Sequence, residues 1–221
     1  MSACLIVIAK APVPGLAKTR LTPPLTPEEA AHLAEASLLD TLHAVLATPA
    51  ARRILALEGE PGSWLPSGFE VVRQRGGGLA DRLAGAFEDA GGPAFLVAMD
   101  TPQITPELLA GALGRLDDPD GPDAVLGPAP DGGYWGIGLR RPDAAVFEDI
   151  PMSSTYTGSL QHERLTALEL STELLSELED VDTLAEARAI ALAAPDTRFA
   201  AALGLSGHAA DDGEAVAEAA A

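Results

Sequence analysis

A chain of 221 residues with a formal net charge of −19 is poorly suited to a nucleic-acid or anionic-membrane partner, whose phosphates would repel it. Hydrophobic residues make up 47% of it but aromatics only 4%, so the expected core is aliphatic, built of Leu, Val, Ile and Ala. The single Cys4 excludes an intramolecular disulfide and no stretch could span a bilayer; with no cationic segment before the first apolar run, a cytoplasmic location is the expectation.

Leu5-Ile-Val-Ile-Ala9 is an unbroken apolar run and reads as a strand buried on both faces. Thr26-Pro27-Glu28-Glu29 supplies a cap, a proline at the first helical position and a glutamate three residues after the cap. Ala30, Leu33, Ala34, Leu38, Leu42, Val45 and Leu46 continue it at helical spacing until Pro49. His32 and His43 fall on this helix as surface residues. Ile54–Leu57 and Phe69–Val72 read as strands, Leu79–Ala90 as a helix and Ala94–Met99 as a further apolar strand. Thr105-Pro106-Glu107 opens another helix, and Ala124–Leu126 and Tyr134–Leu139 read as strands. The turn between these two strands is too short for a helical crossover, which predicts one antiparallel element. Helices are expected over Thr157–Leu168 and Leu184–Ala194, the second capped by Thr183 and Glu186. Strands alternating with helices predict an α/β sandwich with a mostly parallel sheet in one domain, residues 1–203. Residues 204–221 read as a disordered acidic tail.

Four segments hold unusual residues. Lys10-Ala-Pro-Val-Pro-Gly15-Leu-Ala-Lys18-Thr19-Arg20 follows the first strand and contains both lysines of the chain. Backbone N–H groups, two ammonium groups and a guanidinium gathered at a strand's C-terminal end suit an anion, most simply phosphates. On that reading Lys18→Ala weakens nucleotide binding and leaves the apo protein's stability nearly unchanged. The spacing is not that of a P-loop. Asp100 ends an apolar strand and is stopped by Thr101-Pro102; it suits a cation, or simply caps a turn. Asp131-Gly132-Gly133-Tyr134-Trp135 reads either as a pocket wall where glycines let a ligand approach or as an ordinary Asp-Gly hairpin. Asp180-x-Asp182 has a spacing open to a divalent cation, or is acidic decoration of a helix start. No Cys/His cluster has zinc spacing.

The segments Ala9–Leu21, Gln74 with Gly78 and Arg82, Asp100-Thr-Pro102, Gly127–Tyr134 and Asp180–Thr183 resemble, in order, the transferase family associated with radical-SAM and selenium-domain proteins. That family lies in the glycosyltransferase-A-like superfamily of nucleotide-diphospho-sugar transferases. The resemblance implies a three-layer α/β/α sandwich, a nucleotide substrate, and Mg²⁺ or Mn²⁺ held by Asp100 and Asp182. It also implies phosphate or nucleotide contacts from Lys10, Gly15, Lys18, Thr19, Arg20, Gln74 and Arg82, with Lys18, Arg20 and Asp100 catalytic. An acceptor or sugar pocket falls to Asp131, Gly132, Gly133 and Tyr134. Ala98-Met99 stand where the family usually has Gly-Ser, and Met152 where tryptophan is common.

Two transferase chemistries fit this resemblance. Glycosyltransferases of the fold usually carry Asp-x-Asp at the end of a central strand, whereas Ala98-Met99-Asp100 offers one acid. Nucleotidyltransferases of the superfamily combine a Lys/Arg loop, one strand-end Asp and a late Asp-Thr segment, which this chain matches better. The expected function is therefore nucleotidyl transfer to a small phosphorylated or hydroxyl acceptor, with glycosyl transfer as the alternative. A non-catalytic nucleotide-binding module is the alternative of another class. Oligomeric state, base and acceptor are left open.

Overall fold

The structure, a computed structural model, describes residues 3–204; most of the tail expected over 204–221 lies outside them. In chain order the elements are β1 (Cys4–Lys10), α1 (Pro27–Ala47), β2 (Arg52–Glu58), β3 (Glu70–Arg73), α2 (Leu79–Ala90), β4 (Ala94–Ala98) and α3 (Pro106–Asp117). They continue with β5 (Ala124–Pro128), β6 (Tyr134–Leu139), α4 (Thr157–Ala167), β7 (Thr172–Leu174), α5 (Leu184–Ala193) and α6 (Arg198–Ala202). One-turn helices sit at Thr19–Leu21 and Ala144–Phe147. The seven strands form one sheet in the order β3-β2-β1-β4-β6-β5-β7. β6 alone runs against its neighbours, antiparallel to both β4 and β5, while the remaining pairings are parallel. The short connection from β5 to β6 thus makes the antiparallel element its length demanded.

Side chains alternate across each strand, so the sheet divides its core between two faces. Leu5, Val7 and Ala9 of β1 pack with Leu38, Leu42 and Val45 of α1 and Leu109, Leu113 and Leu116 of α3. Cys4, Ile6 and Ile8 face the other way, against Leu83, Ala86 and Phe87 of α2, Phe147, and Leu165 of α4. The result is the expected α/β/α sandwich. Cys4 is buried in this second face, and burial pushes its thiol up to about 11, so it is a core residue rather than a reactive one. His32 and His43 are exposed on α1. A third apolar cluster lies beside the sandwich, where Leu21, Leu33, Val181, Ala187, Ile190 and Phe199 come together. It fastens the lysine-bearing loop, through Leu21, to the segment before α5, through Val181.

β1 lies between β2 and β4, and the chain leaves it toward β2 first, then returns across to β4 through β3 and α2. That reversal of direction opens a crevice between the C-terminal ends of β1 and β4, the place where open α/β sheets bind ligands. Lys10 ends β1, Asp100 follows β4, and the β5–β6 turn reaches the same edge because β6 starts where β5 stops.

Candidate functional site

The site is assembled by a few long-range contacts. Val181 is fully buried, and its N–H donates to the Asp100 carbonyl at 3.0 Å. With Val181 pointing into the third apolar cluster, its neighbours Asp180 and Asp182 are presented at the crevice. Carboxylate oxygens of Asp100, Asp180 and Asp182 all lie within 4.8 Å of one another. Asp100 and Asp182, the pair the resemblance implied, are therefore together, joined by Asp180, which only the Asp180-x-Asp182 spacing had suggested as a ligand. Three hard oxygen donors at this spacing fit a divalent cation.

The basic loop meets the acids directly. Lys18 adopts a left-handed backbone with φ 47°, starting the turn Thr19–Leu21. Its Nζ lies 3.0 Å from Asp100 Oδ2 and 4.0 Å from Asp182 Oδ1, and also donates to the Val181 carbonyl. The Arg20 guanidinium, mostly exposed, donates to Asp182. Lys18 is thus the counter-ion of the acid cluster, not a free cation, and this pairing argues that its loss costs stability in the metal-free protein. Gly15, with φ 76°, makes the turn that brings the loop back.

Lys10, Gln74 and Arg82 occupy a neighbouring network. Lys10 Nζ is 3.6 Å from Glu58, and Arg82 donates to Glu58 at 2.5 Å and to Gln74 Oε1 at 3.4 Å. Gln74 Nε2 donates to the carbonyls of Ala9 and Ala56 at 2.7 and 2.9 Å, closing the ends of β1 and β2. Glu58, which the motifs did not flag, is the centre of this network; only its place at the end of a strand could have suggested it. Met99 fills the space beneath Lys10: its sulfur accepts from the Lys10 N–H at 3.2 Å and its carbonyl from Ser37 Oγ at 2.9 Å.

Two hollows flank the cluster and share Arg20, Asp100 and Asp182. The smaller, about 250 Å³, is walled by Lys10, Leu16, Lys18, Thr19 and Met99. The larger, about 550 Å³, runs toward α2 and the β5–β6 turn. Its walls include Asp131, Gly133 and Tyr134, as the sequence led one to expect. They also include Met152, where the family commonly has tryptophan, and Leu79, Leu83 and Ser153–Thr155, which the sequence did not suggest. Gly132 holds two of these walls together: at φ 90° its Cα faces the Thr155 carbonyl, and an added Cβ would lie 1.9 Å from that oxygen. The Gly158 N–H donates to the Gly132 carbonyl at 2.8 Å. Asp131 Oδ1 accepts from the Gly133 N–H at 2.7 Å, so the hairpin reading of this turn holds alongside the pocket reading. The Tyr134 hydroxyl faces Gln161 Oε1 at 3.4 Å, and burial raises its pKa, so its ring is a wall and its phenol is not an acid–base group.

Asp180 has its pKa raised to about 6, first by desolvation and then by the negative charges of Asp100, Asp131 and Asp182. A carboxyl with a raised folded-state pKa binds its proton more tightly folded than unfolded. Without added metal its contribution to stability is therefore present at low pH and is lost as pH rises from its ordinary 3.8 through about 6. Asp180→Asn should stabilise the metal-free protein by about 1–3 kcal/mol at pH 7 and flatten that part of the pH–stability curve. Urea titrations at pH 4 and pH 7 measure both effects, and an unchanged curve would contradict the crowding of the three acids.

The fold is that of nucleotide-diphospho-sugar transferases, and the similarity places the chain in the transferase class. Among solved structures, a candidate nucleotide-diphospho-sugar transferase from Desulfovibrio desulfuricans G20 is similar at TM-score 0.81 and 26% identity, over 93% of this chain and 94% of that one. The model of the family described as an uncharacterized protein conserved in bacteria (DUF2064) matches residues 33–154, and the chain belongs to that family. The Lys18 loop and Asp180–Asp182 lie outside the matched segment. CMP:2-keto-3-deoxy-manno-octonic acid synthetase complexed with CTP shares the fold at TM-score 0.53 and 16% identity, over 89% of this chain and all of that one. So does 2-C-methyl-D-erythritol 4-phosphate cytidylyltransferase from Thermus thermophilus, at 0.50 and 16%, over 93% and 99%. The curated proteins contain no match. No helix among the described residues is long and apolar enough to cross a membrane.

Proposed function

We propose that this chain is a metal-dependent nucleotidyltransferase, moving a nucleotidyl group from a nucleoside triphosphate to a small acceptor. The carrying observation is the convergence of Lys18, Arg20, Asp100, Asp180 and Asp182 in the crevice between β1 and β4. Lys10, Lys18, Thr19 and Arg20 wall the smaller hollow, which suits polyphosphate, while the larger hollow is open for the second substrate. The named activities of the two fold relatives, a CMP-sugar-acid synthetase and a cytidylyltransferase, are of this reaction type. The acceptor oxygen bonds to the α-phosphorus, the bond to the oxygen bridging to the β-phosphate breaks, pyrophosphate leaves, and the acceptor proton passes to solvent. Lys18 and Arg20 offset charge on the departing phosphates. A hard cation such as Mg²⁺ or Mn²⁺, held by Asp100, Asp180 and Asp182, would supply further neutralisation of phosphate charge.

Glycosyl transfer from a nucleotide-diphospho-sugar is the second reading, favoured by the similarity to the Desulfovibrio protein. The two separate by product. An α-labelled nucleoside triphosphate should pass its label to an acceptor with release of pyrophosphate; consumption of a sugar nucleotide alone, releasing nucleoside diphosphate across a broad acceptor panel, would reverse the assignment.

A further inference from the structure

The larger hollow has a chemical polarity that restricts its occupant. Toward α2 its lining is apolar, with buried Leu83, exposed Leu79, half-buried Met152 and the ring of Tyr134, while the loop before α4 adds the uncharged polar side chains of Ser153, Ser154 and Thr155. At the end that meets the crevice stand Asp131 and Asp180. No lysine lines it, and Arg20, its one cation, is paired with Asp182. Lys10 and Lys18 line the other hollow, and Lys18 also pairs with Asp100. Among the described residues no cationic side chain pairs with Asp131, whose carboxylate is held by the Gly133 N–H, so a phosphate or carboxylate placed beside it meets a like charge.

We infer that the larger hollow is an acceptor site for an uncharged or cationic molecule with an apolar body and a hydroxyl or amine, and that Asp131 makes it reject phosphorylated compounds. The inference rests on the transferase reading for the word acceptor, and narrows it, since a phosphorylated acceptor is excluded. The apolar walls bury the body, which sets affinity. The carboxylate of Asp131 penalises an anion: two like charges about 6 Å apart, at an effective dielectric near 20, differ by more than tenfold in binding.

The two hollows carry separate reporters, Met152 in the larger and Met99 in the smaller. With methionine methyl groups ¹³C-labelled in the full chain, and assigned through Met99→Leu and Met152→Leu, benzyl alcohol, benzylamine and benzyl phosphate are titrated separately. The alcohol and amine should move the Met152 signal at concentrations at least about tenfold below those required for the phosphate. Asp131→Asn, which keeps Oδ1 for the Gly133 N–H, should bring benzyl phosphate to within a few-fold of the alcohol. Benzyl phosphate moving Met152 as readily as the alcohol, or none of the three moving it, overturns the inference. Magnesium with inorganic triphosphate tests the other hollow through Met99. Silence there, with Met152 still discriminating, would overturn the polyphosphate reading and leave the charge selectivity standing.

Discussion

Asp100→Asn should lower turnover by more than about a hundredfold and abolish metal-dependent nucleotide binding, while leaving the fold in place. Asp100 has a carboxylate oxygen within 4.8 Å of those of Asp180 and Asp182, and it is also the acid that Lys18 approaches most closely. Asparagine has nearly the same shape, and the bond that fastens the two segments is made by the Asp100 main-chain carbonyl to the Val181 N–H, which the substitution does not touch. A loss of activity therefore reports on charge rather than on architecture. Circular dichroism and urea unfolding check the fold, and calorimetry with nucleotide in the presence and absence of Mg²⁺ checks the binding. Asp100→Asn that turns over normally would remove the acid cluster from the reaction.

Lys18→Met should act twice. In the metal-free protein it removes the cation between Asp100 and Asp182 and leaves three carboxylates facing one another, which should cost about 1–2 kcal/mol of stability. The figure is kept below that of a fully buried pair because Asp100 retains a quarter of its side-chain exposure. In the nucleotide complex the same change should weaken affinity by about 1.5–3 kcal/mol, the scale of a hydrogen bond to a charged group. Added divalent cation should restore the stability and not the nucleotide affinity, since it replaces the charge within the cluster but not the phosphate contact. Urea midpoints with and without Mg²⁺, followed by nucleotide titration, separate the two. A variant as stable as the parent without metal would contradict the ion pairing of Lys18.

Much of the sandwich was legible because its signals are local. Thr26, Pro27 and Glu29 make the capping box that begins α1, with Thr26 Oγ1 accepting from the Glu29 N–H at 3.2 Å. The single antiparallel strand followed from the shortness of one turn. The misses have distant causes. α6 is held by Asp40, whose carboxylate accepts from the N–H groups of Arg198 and Phe199 at 3.1 and 2.9 Å, across more than 150 residues. β7 is three residues at a sheet edge, paired only with β5, and carries no periodicity to read.

The site shows the same division. Asp100 and Asp182 could be singled out by their place after a strand and before a helix. The Asp180-x-Asp182 spacing hinted at Asp180, but that both acids meet Asp100, and that Lys18 sits on them, depends on the Val181–Asp100 bond, a tertiary contact with no trace in local spacing. Ser153, with a left-handed backbone at φ 61°, and its neighbours enter the larger hollow because Thr155 packs on Gly132 and the Gly158 N–H donates to the Gly132 carbonyl, so a polar stretch that reads as plain loop becomes a wall.

The lone reversed strand has a consequence for variation at the site. Because β6 turns back at the crevice, the wall nearest the acceptor hollow is a hairpin, whereas the basic loop and the acids rest on β1, β4 and the segment before α5. Lengthening or recolouring residues 129–133 alters one chamber without disturbing the register of the parallel strands. Substitutions in the hairpin can thus reshape one chamber while the parallel strands that carry the basic loop and the acids keep their pairing.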